Sequence, residues 1–280
     1  MKKVMGVIGY PVKHSLSPNM HEAIYKTLQL NMAYHAFEVH PNYLKSAING
    51  VKGLGLLGVN ITIPHKIAVM PLLDEVDDLA KEIGAVNTIV HVNEKLIGYN
   101  TDGEGYLRSL LPLIKDDHHK MDVLIIGAGG AARAVAITLA KYGVRKMVIT
   151  NRTQEKGMSL VHSCDKFSPT SFMNLEEATE QVGNFQVIIN TTSIGMSPNI
   201  EETPLSLEHL RPGTIVSDLI YTPLKTTWLK KAAEKGARIL GGLDMFIFQG
   251  ALAFEHWTGE KAPTDIMRKA VLKQLKNKHV

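Results

Sequence analysis

Apolar positions in the first hundred residues switch between two spacings. Val4 to Tyr10 and Ala33 to Val39 are short, dense apolar runs that predict strands. Between them, Pro18 to Leu30 repeats apolar residues three and four apart, which predicts an amphipathic helix. Tyr43 to Val51 predicts a second helix and Leu56 to Ile63 a third strand. Such alternation predicts an open α/β sheet with mainly parallel neighbours. Thr88 to Val92 and Leu96 to Tyr99 flank Asn93-Glu94-Lys95 and predict a hairpin. Thr101-Asp102-Gly103-Glu104 has capping-box spacing and predicts a helix through about Leu113.

A polar stretch, LIKDDHHK at 113–120, interrupts the pattern, and a second α/β run follows. Its strands are predicted at Val123 to Ile126, Lys146 to Thr150, Gln186 to Asn190, Thr214 to Asp218 and Arg238 to Leu240, with helices between them. After Gly241-Gly242 the pattern is helical, near Leu243 to His256 and Pro263 to Lys276. A domain boundary falls either in the polar stretch or just before the helix near Asp102.

The 280 residues suffice for one large or two ordinary domains, and 45% hydrophobic with 21% charged residues is ordinary for a globular chain. The formal net charge of +4 is spread out, with only short basic clusters such as Lys225 to Lys231, so no nucleic-acid partner is expected. One cysteine, Cys164, precludes an intrachain disulfide and fits a reducing, cytoplasmic location. No apolar run approaches the roughly eighteen residues of a membrane helix, so no membrane association is expected. The opening MKKVMGVIGYPVK reads as a first buried strand rather than a leader, because its apolar part is short and broken by glycines.

VNITIPHK, residues 59–66, raises the first chemical question. Alternation would put Val59, Ile61 and Ile63 on one face and Asn60 and Thr62 on the other, with Pro64 ending the ladder and Lys66 just beyond. By itself this is a strand with a polar solvent face.

VLIIGAGGAAR, residues 123–133, says more. An apolar strand enters G-x-G-x-x-A and an alanine-rich helix follows. Gly127 permits the tight turn, Gly129 lets a pyrophosphate approach the backbone, and Ala132 allows close packing; the helix start supplies N–H donors. The next strand ends in Asn151-Arg152-Thr153, where an NAD site usually has an acidic residue for the ribose 2′-OH. A guanidinium would instead pair with a 2′-phosphate, so NADP is favoured over NAD; the alternative is an exposed arginine at a helix start. Thr191 to Met196 and Asp218-Leu219-Ile220-Tyr221 follow later strands, where ligand crevices form, although Ser/Thr clusters there are often plain turns.

Other polar residues need weighing as substrate ligands. In SLSP, Ser17 is expected at an N-cap with Pro18 first in the helix, which leaves Ser15 unexplained. Asn87 alone reads as a turn residue and Asp102 as a first-turn acid. Gln249 stands in FIFQGAL, apolar nearly all round, where an amide is costly to bury without partners. The twelve histidines show no clear ligand spacing, and no metal site is expected.

Taken in order, SLSP, VNITIPHK, GAVNT, NTDG, GAGGAAR, NRT, NTTSIGM, DLIY and QG resemble the shikimate dehydrogenase family from Met5 to about Trp257. The resemblance implies an N-terminal open α/β substrate domain, 1–101, joined by C-terminal helices at 243–280. A Rossmann-type, doubly wound parallel sheet at 102–242 would bind NADP, with the active site in the groove between the domains. It further implies that Ser15, Ser17, Asn60, Thr62, Asn87, Tyr221 and Gln249 hold shikimate, a small-molecule substrate, and that Lys66 and Asp102 form the catalytic pair. Gly127, Ala128, Gly129, Gly130, Ala131, Asn151, Arg152 and Thr153 match the cofactor segments, with Leu219, Gly242 and Asp78 as weaker matches. The reaction implied is reversible NADPH-dependent reduction of 3-dehydroshikimate to shikimate, within aromatic amino acid biosynthesis, by a monomer or homodimer. Two other readings stay open: a quinate/shikimate dehydrogenase using NAD, and a catalytically silent NADPH-binding regulator.

Overall fold

A computed structural model describes residues 2–114 and 118–277. Lys115, Asp116 and Asp117, part of the polar stretch, lie outside the described residues, as do the last three positions of the C-terminal segment. The chain forms two compact units, Met1–Thr101 with Ile247–Val280, and Asp102–Phe246.

The first unit contains β1 (Lys3–Gly9), α1 (Ser17–Thr27), β2 (Met32–Glu38), α2 (Leu44–Gly53), β3 (Gly58–Ile61), β4 (Glu75–Val76), α3 (Asp78–Ile83), β5 (Thr88–Val92) and β6 (Lys95–Tyr99). Its sheet order is β2-β1-β3-β5-β6-β4. β1 runs parallel to β2 and β3, but β5 is antiparallel to β3 and β6, so this sheet is mixed. The antiparallel part follows from the hairpin, whose turn residues Asn93 and Glu94 take φ of 49° and 60°. Ile8, Ile48, Val51, Val59, Ile61 and Ile89 lie in one buried apolar cluster on this sheet.

The second unit contains α4 (Asp102–Ile114), β7 (Asp122–Ile126), α5 (Gly130–Tyr142), β8 (Lys146–Thr150), α6 (Gln154–Asp165), β9 (Thr170–Phe172), α7 (Leu175–Glu180), β10 (Val187–Asn190), β11 (Ile215–Asp218), α8 (Thr227–Glu234) and β12 (Arg238–Leu240). The sheet is parallel throughout, in the order β12-β11-β10-β7-β8-β9. Numbered within the unit this is 3-2-1-4-5-6 read from the other edge, the doubly wound dinucleotide order. β7, β10 and β11 are buried along their whole length, as parallel strands covered by helices must be. α9 (Gly242–Thr258) and α10 (Thr264–Asn277) complete the chain. Within the first unit α10 packs on α1, and the Trp257 indole N–H donates to the Ile89 carbonyl at 2.9 Å.

Two local expectations need correction. β3 ends at Ile61, and Ile63 is 67% exposed rather than part of the buried face. Thr62 still donates its N–H to the Ile8 carbonyl and the Tyr10 N–H reaches the Ile63 carbonyl at 3.0 Å, but the regular pairing of β3 with β1 stops at Ile61. In α1, Leu16 holds the N-cap position and Ser17 is the first helical residue, so Pro18 is second. The cap comes from outside the helix, where Ser15 Oγ accepts from the Ser17 N–H at 3.3 Å.

Candidate active site

In the first unit, candidate polar residues gather at the carboxyl ends of β1 and β3 and the start of β5. β3 presents Asn60, which pairs in register with Thr88 on β5. The Asn60 amide nitrogen donates to the Asn87 carbonyl at 3.2 Å and to Thr88 Oγ1 at 3.0 Å. Its Oδ1 accepts from the Tyr34 hydroxyl at 2.7 Å. Asn87 is also buried: Oδ1 accepts from the Thr101 N–H at 2.8 Å, and Nδ2 donates to Thr101 Oγ1 at 3.0 Å. Asn87 is therefore an organised side chain rather than a bare turn residue, and Thr101 is held one residue ahead of Asp102.

Lys66 sits where its backbone is clamped on both sides. The preceding His65 is buried, with its ring Nε2 2.8 Å from the Val39 carbonyl. The Lys66 carbonyl accepts from Val86 N–H at 2.9 Å. The side chain itself is half-buried, as are Thr62 and Ser15, while Ser17 is buried. Gln249, on α9, is half-buried. Asp78 is exposed in the first turn of α3 and pairs with Lys81 at 2.9 Å.

In the second unit, β7 ends in the glycine turn at the point where strand order reverses. Gly127 has φ of +114°, and a Cβ there would lie 2.5 Å from Thr191 Oγ1 at the end of β10. Gly129 and Gly130 have nothing within 4 Å of a built Cβ, and Ala132 is fully buried. The 13-residue α5 begins at Gly130 with no side-chain cap on its first N–H groups, beside Ala128 and Ala131. At the end of β8, Asn151 turns its amide back onto the Thr153 carbonyl at 2.7 Å, and Arg152 and Thr153 are exposed. This donor set fits a dinucleotide carrying an additional phosphate.

The loop after β11 is fixed by Asp218, a fully buried acid. Asp218 accepts from Asn190 Nδ2 at 3.2 Å, Ile220 N–H at 3.0 Å and Thr226 Oγ1 at 2.9 Å. Burial nevertheless outweighs these donors and pushes its carboxyl up to about 6. The loop carries Leu219 and Tyr221. A Cβ on Gly242 would overlap the Leu219 carbonyl, so this pair requires glycine. Tyr221 stacks on Phe246 with centroids 4.8 Å apart, and burial raises its phenol above the ordinary range. Thr191 and Thr192 spend their hydroxyls on Ile126 O and Asn190 Oδ1, as turn residues do.

Among the described residues, no group of three or more His, Cys, Asp or Glu is placed to hold a metal ion, and no helix is long and apolar enough to cross a membrane.

Sheet order, glycine turn and open helix start define a dinucleotide-binding α/β protein of Rossmann type. Three family descriptions match along the chain: "Shikimate dehydrogenase substrate binding domain" at 7–89, "Shikimate / quinate 5-dehydrogenase" at 110–204 and "Shikimate 5'-dehydrogenase C-terminal domain" at 242–272. A shikimate dehydrogenase (NADP(+)) of Geobacillus sp. (strain WCH70) is 51% identical over 276 residues, covering 99% of this chain and 100% of that protein. A crystal structure of a shikimate dehydrogenase in complex with NADP+ superposes with TM-score 0.90 at 44% identity, over 98% of this chain and 96% of that one. The enzyme of Thermus thermophilus, in complex with NADP(H) and shikimate, gives 0.86 at 34% identity, over 97% and 99%. This chain belongs to the shikimate dehydrogenase family.

Proposed function

We propose that this chain is an NADP-dependent shikimate dehydrogenase that interconverts 3-dehydroshikimate and shikimate, as one step of aromatic amino acid biosynthesis. The observation that carries the reading is the 51% identity with a shikimate dehydrogenase (NADP(+)) over 99% of the chain. The glycine turn and Arg152 support the cofactor choice: Gly127 to Ala131 and the start of α5 would take the pyrophosphate, and Arg152, with Asn151 and Thr153, the 2′-phosphate. Leu219 and Gly242 would line the same cofactor, and Asp78 would approach it. When bound, the cofactor supplies or accepts the hydride.

Residues of this chain handle the rest. Ser15 and Ser17 would hold the substrate carboxylate at the start of α1, and Asn60, Thr62, Asn87, Tyr221 and Gln249 would meet carboxylate or hydroxyls. Lys66 would exchange the proton at the reacting oxygen, and Asp102 would orient the lysine and the neighbouring hydroxyl. The substrate domain would comprise 1–101 with 243–280, and the cofactor domain 102–242. The enzyme would act as a monomer or homodimer in the cytoplasm, without nucleic acid, in keeping with a net charge of +4 and no basic run.

The test is steady-state formation of NADPH from shikimate and NADP⁺, followed by absorbance, with quinate and NAD⁺ as the crossed alternatives. Turnover of shikimate with NADP⁺ well above every other pairing is expected. Preference for quinate with NAD⁺ would assign the quinate/shikimate reading, and no turnover with any pairing would leave a silent NADPH binder.

A further inference from the structure

Tyr34, on β2, is 2% exposed and two strands away from Asn60, with β1 between them. Its ring is stacked on that of His21 at 4.4 Å with planes 6° apart, and tilted against Trp257 at 6.1 Å. His21 of α1 and Trp257 of α9 thus both lie against the Tyr34 ring.

The phenol donates to Asn60 Oδ1 at 2.7 Å. That bond sets the Asn60 amide, since a flipped amide would turn Oδ1 onto the Asn87 carbonyl, acceptor against acceptor. Held this way, Asn60 spends both amide hydrogens on Asn87 O and Thr88 Oγ1. Thr88 Oγ1 lies 3.0 Å from Asn87 Oδ1, which also takes the Thr101 N–H. Asn87 thus has its side-chain carbonyl oxygen occupied and one amide hydrogen on Thr101, so the second amide hydrogen is left for another acceptor.

We propose that Tyr34 is a positioning residue for substrate binding: its phenol fixes Asn60, and through Asn60 sets how Asn87 presents its amide. Asn60 then also works as the relay of this network. The inference rests on reading Asn87 as a substrate ligand. Neither the His21 imidazole nor the Tyr34 ring need touch substrate.

The test is a double-mutant cycle on the full chain, using Tyr34→Phe, Asn60→Ala and the pair, with kcat, KM for shikimate, KM for NADP⁺ and Tm measured for each. Tyr34→Phe keeps the ring and its stacking and removes one oxygen. It is expected to lower kcat/KM for shikimate about tenfold while KM for NADP⁺ changes less than twofold. In the Asn60→Ala background the same change should lose most of its effect, because residues acting through one relay are not additive. Thr88→Val, which cuts the network at another strand, should give the same fall in kcat/KM for shikimate if Tyr34→Phe does not fold. A lower Tm with unchanged shikimate kinetics, or full additivity in the cycle, would overturn the proposal. Should the unmodified protein fail to oxidise shikimate at all, the functional reading falls first and this one with it.

Discussion

Thr226 donates from Oγ1 to Asp218 Oδ2 at 2.9 Å, and the same hydroxyl accepts the Leu229 N–H at 3.3 Å. One side chain thus caps α8 and binds the buried carboxyl that holds the loop from Leu219 to Tyr221. Asp218 has its carboxyl pushed up to about 6 by burial. An unfolded aspartate titrates near 3.9, so the folded chain binds this proton more tightly. The contribution of this group to stability is therefore greatest below about pH 4 and is lost as pH rises through about 6, by at most about 3 kcal/mol. Asp218→Asn should flatten the urea-midpoint profile between these values. An unaltered profile would show that Asp218 does not titrate there.

Lys66 lies between two anchored residues, His65 on the Val39 carbonyl and Val86 on the Lys66 carbonyl. Removing its ammonium should leave the backbone in place. Lys66→Ala is expected to reduce kcat by roughly 10²- to 10⁴-fold, the span of a lost acid–base group, with a smaller change in KM for shikimate. Steady-state kinetics decide it, and a kcat within twofold of the parent would remove Lys66 from the chemistry.

Arg152 is exposed while its neighbour Asn151 is turned inward onto Thr153. Charge-assisted hydrogen bonds are worth about 1.5–3 kcal/mol, or roughly 10- to 100-fold in affinity. Arg152→Ala should raise KM for NADP⁺ by that factor and leave KM for NAD⁺ nearly unchanged. Equal losses with both would count against a 2′-phosphate contact.

Gly127 combines φ of +114° with a Thr191 hydroxyl where a side chain would go. Gly127→Ala should lower stability by about 1–3 kcal/mol from backbone strain and weaken NADP⁺ binding at least tenfold, with KM for shikimate less affected. Thermal melts and KM for each ligand test this. A variant with parental Tm and parental NADP⁺ affinity would contradict the geometry.

Local features were readable because they are written in adjacent residues. The β7 strand, its glycine turn and the alanine-rich α5 follow one another within about twenty residues, and period and backbone freedom specify them without reference to the rest of the fold. The β5–β6 hairpin was equally legible, since its turn lies within it. Strands β4 and β9, of two and three residues, were not foreseen. Ile63 looked buried by alternation, yet β3 ends at Ile61.

By itself, then, the amino-acid order determined two α/β runs, a dinucleotide turn and a set of polar residues with chemical potential. Only the tertiary structure decided which of those residues bind one another. Tyr34 and Asn60 are 26 positions apart, and Asn190 and Asp218 are 28. The reason is physical: periodicity and turn chemistry act between neighbours in the chain, whereas a buried hydrogen bond depends on strand order and register, which bring distant residues to one side of a sheet.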